Sequence, residues 1–265
     1  MDAAHRAAVI YTAAADTFDT LPFWHHFGRR TVERLPLRRG EKVLDLCCGS
    51  GASAIPAAEL VGAAGSVLGV DITEALLHQA RRKAAALGLS QTKFECADVA
   101  SLSYPPATFD AVLSVFGLFF IDDMSALLAR AWGWLAPGGA LAITAWGQDV
   151  LAPGEALFWE AALRENPRLD QIDHASRLDT PDKLASIFTA AGLPLPDIAT
   201  ERWEMPLASA DAFWPVILGT SNRAAFEALL PAQQERVRAS VTEALRERGV
   251  RGTAMDVLYA VARRG

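Results

Sequence analysis

The chain of 265 residues is 51% hydrophobic and 21% charged, enough apolar sequence for a sizeable core, which excludes disordered, collagen-like and coiled-coil classes. Its 31 acidic side chains outnumber 25 basic ones for a net charge of -6, the wrong sign for gripping a phosphate backbone, so no nucleic-acid partner is expected. The longest apolar run, Ala111 to Ile121, falls short of the roughly 18 residues that a membrane helix needs, so no membrane span is expected either. The N-terminus lacks a secretory pattern, and three cysteines, Cys47, Cys48 and Cys96, cannot all pair, so the expected setting is reducing and cytoplasmic.

Residues 1–40 read as an N-terminal helical cap. From residue 41 to 146 short apolar runs alternate with helical patterns, the signature of βαβ units and a parallel sheet. Strands are expected over Lys42–Leu46, Ser66–Val70, Thr92–Cys96, Asp110–Val115 and Ala140–Ala145. Thr73 can cap a helix that buries Leu76, Leu77, Ala80 and Ala84 and closes at Gly88. Asp122 or Asp123 can cap another, stopped by Pro137-Gly138-Gly139. Capping also explains that acidic pair without a metal, and no metal site is expected.

Beyond Trp146 the pattern turns mostly helical: Pro153–Leu163, a helix capped by Thr180 and closed by Gly192, and an amphipathic helix over Pro231–Arg248. Two late strands are expected, Ile198–Trp203 and Val257–Ala262. The helical stretches 147–180 and 206–252 read as insertions in one domain of 1–265, forming a lid over the substrate and offering a surface for a homodimer.

The chemistry concentrates in Val43-Leu-Asp-Leu-Cys-Cys-Gly-Ser-Gly51, a strand that runs straight into a glycine-containing turn and a helix. Such a turn brings a ligand close to the backbone and aims helix amides at polar groups. A pyrophosphate site wants Gly-x-Gly-x-x-Gly with no acid in the strand, whereas here Asp45 stands two residues before the turn. A carboxylate there repels pyrophosphate and attracts an ammonium. Asp71 ends the second strand, where it can accept both hydroxyls of a ribose, and Asp98 follows the third, placed to accept from an adenine amino group. Three acids at three successive strand ends describe S-adenosylmethionine better than a nicotinamide dinucleotide.

With these residues in place the chain resembles the class I S-adenosylmethionine-dependent methyltransferases, in the branch of ubiquinone/menaquinone-type and other small-molecule enzymes. Besides the first motif, Gly69-Val-Asp71-Ile, Glu95-Cys-Ala-Asp98-Val99, Phe109 to Phe120 and Leu135 to Thr144 match the family's later motifs in order and spacing. The resemblance covers about residues 10–146. It implies an α/β, Rossmann-like, doubly wound, seven-stranded, mostly parallel sheet with helical lid insertions, and S-adenosyl-L-methionine as cofactor with S-adenosyl-L-homocysteine as product. It places Asp45 near the methionine amino end, Gly49 and Gly51 at the close-approach turn, Asp71 on the ribose, and Asp98 and Val99 on the adenine with Ile72 packed on its face. Cys47 and Ser114 complete the cofactor set. Cys47 departs from the usual glycine, so its backbone is expected to avoid strongly positive φ.

Methyl transfer from a sulfonium is an in-line displacement whose electrophile is already activated, so the protein mainly orients and desolvates. The base candidates are His25, His26 and His174. Tyr11, Phe18, Trp24, Phe116, Phe119 and Phe120 are the aromatic candidates for an apolar or aromatic small-molecule acceptor. A same-fold enzyme that binds the cofactor without methyl transfer, and a nicotinamide oxidoreductase, are the alternatives.

Overall fold

Val43, Leu44, Asp45 and Leu46 are all buried, as a strand flanked by parallel neighbours and covered on both faces must be, and they form the centre of the sheet. The computed structural model describes residues 3–171 and 173–265; the parts of the expected cap and insertion that fall on Met1, Asp2 and Ile172 lie outside the described residues. In chain order the strands are β1 (Lys42–Leu46), β2 (Ser66–Asp71), β3 (Thr92–Cys96), β4 (Phe109–Val115), β5 (Leu135–Trp146), β6 (Asp197–Pro206) and β7 (Gly252–Arg263). Their order in the sheet is β3-β2-β1-β4-β5-β7-β6. The first five run parallel, and β7 lies antiparallel between β5 and β6.

Alternation along the strands sends two apolar sets to opposite faces. Val43, Val67, Ala111 and Leu113 pack with Ala54, Ala57, Ala58 and Val61 of α3 (Ala54–Val61). Leu44, Val112, Leu141 and Ile143 belong to the larger cluster with Leu127, Leu128 and Ala131 of α5 (Met124–Trp134). The sheet is therefore covered on both sides, a Rossmann-like doubly wound architecture. Before it come α1 (Ala3–Phe18) and α2 (Pro22–Val32), and α4 (Glu74–Ala86) follows β2. Gly28 of α2 sits so close to the turn after β1 that a Cβ would lie 2.3 Å from the Ala52 carbonyl oxygen.

Between β5 and β6 lie α6 (Gly154–Glu165) and α7 (Pro181–Ala190), and between β6 and β7 lie α8 (Trp214–Leu218), α9 (Asn222–Glu227) and α10 (Pro231–Glu247). The two inserts are bonded to each other: Arg236 forms an ion pair with Glu165 at 2.7 Å, and Gln233 Nε2 donates to the Glu165 carbonyl at 2.7 Å.

Three local expectations change. Pro137-Gly138-Gly139 does not stop α5, which ends at Trp134; it forms an irregular stretch inside β5, where Gly138 donates to the Arg264 carbonyl and Arg264 to that of Gly139. Thr73 precedes α4 without capping it through its side chain; its amide donates to Asp71 instead. β6 and β7 outrun their apolar cores because the antiparallel ladder continues from Asp197 opposite Val261 to Pro206 opposite Gly252. Of the two candidate caps, Asp123 is the one used, accepting from the Ala126 amide at 2.9 Å.

Candidate active site

The sheet order sets β1 beside both β2 and β4, so connections diverge at the carboxyl ends of β1 and β4. Open α/β sheets bind ligands in that crevice. A cavity lies there, floored by Cys47–Gly49, Asp71–Thr73, Ala97–Val99 and Val115–Gly117, and roofed by α1 through Ala4, Ala8, Tyr11 and Phe18.

Asp71 is held rigidly: its Oδ2 accepts from the Gly49 amide and its Oδ1 from the Thr73 amide, each at 2.8 Å. Burial pushes its pKa up, and those amides oppose the shift. Each oxygen keeps a lone pair for a ligand hydroxyl. Asp98 spends Oδ1 on the Ala100 amide at 2.8 Å, where it caps a short turn beginning at Val99. Ile72 and Val99 line the same wall.

Asp45 is 0% exposed and does not itself line the cavity; Ser53, which does, donates to its Oδ2 at 2.6 Å. Its Oδ1 is buried and has no hydrogen-bond partner among the described residues. Burial raises its pKa to about 7; the Ser53 hydrogen bond opposes the shift and the nearby charge of Asp71 adds to it. Trp24 Nε1 is a second buried group without a partner among the described residues, a donor on the cavity wall. A buried acceptor and a buried donor without partners, beside a rigid carboxylate, fit a ligand that carries an ammonium, an acceptor group and a diol. The same carboxylates disfavour the pyrophosphate of a nicotinamide dinucleotide.

Cys47 takes φ +59, contrary to the sequence expectation. The reason lies across the crevice: a Cβ on Gly117 would come within 2.2 Å of the Cys47 Cβ, so the strain accepted at Cys47 is matched by a side chain removed at 117. Phe116, beside it, is also left-handed at φ +56 and stacks on Trp146 with ring centres 3.6 Å apart. Burial raises the thiol pKa values of Cys47 and Cys48, which keeps both protonated. Gly51 and Ser114 lie outside the lining: Gly51 faces Ala80 and Ile55, and Ser114 is buried 3.4 Å from where a Gly117 Cβ would stand.

A second cavity shares Tyr11, Trp24 and Phe120 with the first. Of the aromatic candidates, Phe119 lines only this one and Phe18 and Phe116 only the first. The inserts supply much of its wall: Trp159 and Glu155 from α6, Gln171 and Asp173–Ser176 from the following loop, and Thr220–Asn222 at the start of α9. Glu155 and Asn222 carry no sequence signal of their own, because they become neighbours only when the two inserts pack.

The three histidines separate. His174 lines the second cavity, edge-on to Phe120 at 5.3 Å; burial and then Arg6 and Arg177 lower its pKa, leaving a neutral imidazole. His25 and His26 line neither cavity. His25 is half exposed, 3.8 Å from Asp19. His26 stacks on Trp203 and meets Glu201 at 3.1 Å, in a cluster where Arg30, Arg34 and Tyr259 also bond that carboxylate.

Comparison with known proteins agrees with this geometry. Residues 43–139 match the family described as a methyltransferase domain. A nocamycin O-methyltransferase from Saccharothrix syringae is 28% identical over 97% of this chain and 94% of its own length. An aklanonic acid methyltransferase from Streptomyces sp. (strain C5) is 35% identical over 51% of this chain and 62% of its own. The crystal structure of the YcgJ protein from Bacillus subtilis, 16% identical, superposes with a TM-score of 0.59 over 91% of this chain and all of that one, a likeness of fold. No described helix is long and apolar enough to cross a membrane. The methyltransferase match falls on the strands and turns that build the first cavity, and the chain is a class I S-adenosylmethionine-dependent methyltransferase.

Proposed function

We propose that the second cavity receives a small, largely apolar or aromatic acceptor whose nucleophile meets the methyl donor at the wall formed by Tyr11, Trp24 and Phe120. The observation that carries this reading is that those three residues line both cavities. S-adenosylmethionine supplies an electrophilic methyl group on a sulfonium, and its displacement leaves S-adenosylhomocysteine. Asp71 holds the ribose, Trp24 Nε1 and Ser53, with the charge of Asp45 behind it, answer the methionine end, and Asp98, Val99 and Ile72 hold the adenine. Tyr11 stays a neutral phenol, because burial and the charge of Asp71 raise its pKa. The aromatic wall and α1 exclude water from the site.

His174 is the histidine placed to meet an acceptor, and the inserts act as its lid. Relatives named for nocamycin and aklanonic acid support an acceptor of natural-product size. The reading includes a cytoplasmic setting, supported by three unpaired cysteines, no nucleic-acid partner, and a homodimer that sedimentation tests. Incubating the protein with metabolite extracts and methyl-labelled cofactor, followed by mass spectrometry, should reveal products heavier by one labelled methyl group. Saturable cofactor binding without such a product in any extract contradicts methyl transfer to a small acceptor.

A further inference from the structure

The acceptor cavity has an uneven charge. Glu155, Asp173 and Asp179 line it, and among the described residues no lysine or arginine does. Lys183 lies outside the lining and is engaged with Asp179 at 2.6 Å. Asp173 caps the next turn, accepting from the Ser176 amide at 3.0 Å. An acceptor that must stay anionic, such as a carboxylate, would enter against these charges with no cation to meet it.

Glu155 differs from the other two acids. It lies in the first turn of α6, and its Oε1 accepts from Asn222 Nδ2 at 2.7 Å, a bond that joins the two inserts. Asn222 is itself buried at 6% exposure. Among the described residues Oε2 has no hydrogen-bond partner and no cation pairs with this carboxylate, although the side chain lines a cavity walled by Trp24, Phe120 and Trp159. Burial holds its pKa above the usual carboxylate range, with the charge of Asp173 adding to the effect and the Asn222 bond opposing it. A fixed carboxylate with one free oxygen among aromatic rings matches a planar molecule with an O–H to give up.

We propose that Glu155, positioned by Asn222, takes the proton of a phenolic hydroxyl acceptor. The inference rests on the methyltransferase reading of the two cavities. In the step the O–H bond breaks and its proton passes to Oε2. The oxygen forms a bond to the methyl carbon while the carbon–sulfur bond breaks, and the bonding pair leaves on sulfur as a neutral thioether. Protonated Glu155 returns the proton to solvent when the product leaves.

The test uses phenols of graded acidity with the full-length protein at a fixed pH of about 8, where 4-nitrophenol is largely ionised and 4-methoxyphenol is not. Glu155→Gln should slow methylation of 4-methoxyphenol by about 100-fold and that of 4-nitrophenol by less than about threefold, because only the neutral phenol needs the base. A readout without turnover accompanies it: 4-nitrophenol bound in the presence of S-adenosylhomocysteine should show a larger phenolate band with Glu155→Gln, since one opposing charge is gone. Glu155→Ala with added formate provides a second variant, in which the diffusible carboxylate should restore 4-methoxyphenol turnover at least tenfold above the unrescued rate. Equal losses on both phenols, an unchanged phenolate band, or a loss confined to His174→Gln would overturn the assignment to Glu155. Turnover of anilines in place of phenols, or of no phenol by a protein that binds S-adenosylmethionine in calorimetry, would overturn the acceptor class. A protein that fails to bind S-adenosylmethionine fails the underlying reading instead.

Discussion

The two cavities meet at Tyr11, Trp24 and Phe120 but are built in different ways. The floor of the first consists of neighbouring strand ends, each followed at once by its turn, so part of its pinning is local: besides the Gly49 amide, Asp71 bonds Thr73 two positions on, and Asp98 bonds Ala100. The second draws on the cap, the β4 and β5 ends and both inserts, and its Glu155 carboxylate meets its partner 67 positions away. A site made of strand ends is stiff and local; a site made of inserts depends on packing between distant segments. The first therefore suits an invariant ligand, and the second suits, in the function proposed above, the choice of acceptor.

Removing the rigid carboxylate of the first cavity should have the largest effect. Asp71→Ala loses two charge-assisted hydrogen bonds of about 1.5–3 kcal/mol each, so cofactor affinity in calorimetry should fall by about 10²–10⁴-fold. An unchanged affinity would mean that the ribose lies elsewhere. Asp45→Asn comes next, with an affinity loss of about 10–100-fold at unchanged or higher melting temperature of the ligand-free protein near pH 8, because it deletes a buried, half-satisfied charge. Stability supplies the sign. Asp45 has a folded pKa near 7, above its ordinary 3.8, so its favourable contribution is present below pH 3.8 and is lost as pH rises toward 7.

Gly28→Ala probes the contact between cap and floor. With 2.3 Å between the added Cβ and the Ala52 carbonyl, α2 must shift, and denaturant unfolding should register a loss of about 1–3 kcal/mol. The smallest effect belongs to His25→Gln, on a half-exposed ring outside both cavities, where kcat should stay within about threefold. A larger drop would place the acceptor against α2 and erase the distinction between cap and lid.

The same difference decides how much could be read from the sequence. The parallel strands announce themselves because burial on both faces demands near-continuous apolar runs, and Asp45, Asp71 and Asp98 stand out as acids at their ends. β6 is hard to bound because it is an edge strand with mostly exposed residues such as Arg202 and Glu204. Pro137-Gly138-Gly139 reads as a turn because its composition is that of one, while backbone hydrogen bonds with Arg264, just past β7, convert it into strand. The positive φ of Cys47 was illegible for a related reason: it depends on the missing side chain of Gly117, which the fold brings opposite. His26 looked available only because Glu201 and Trp203, which engage it, arrive some 170 residues later.

The central claim is that the first cavity is a cation-accepting nucleoside site whose buried carboxylate ionises when the ligand arrives. Titration calorimetry with S-adenosylmethionine at a pH of about 6.5, repeated in two buffers of different ionisation enthalpy, tests it directly. At that pH a carboxylate with a pKa near 7 is mostly protonated, while an α-amino group, with a pKa of about 7.7–8.0, is already charged. The prediction is saturable binding with net release of a substantial fraction of a proton, an effect absent from Asp45→Asn. Absence of saturable heat, or net proton uptake in both buffers, would contradict it.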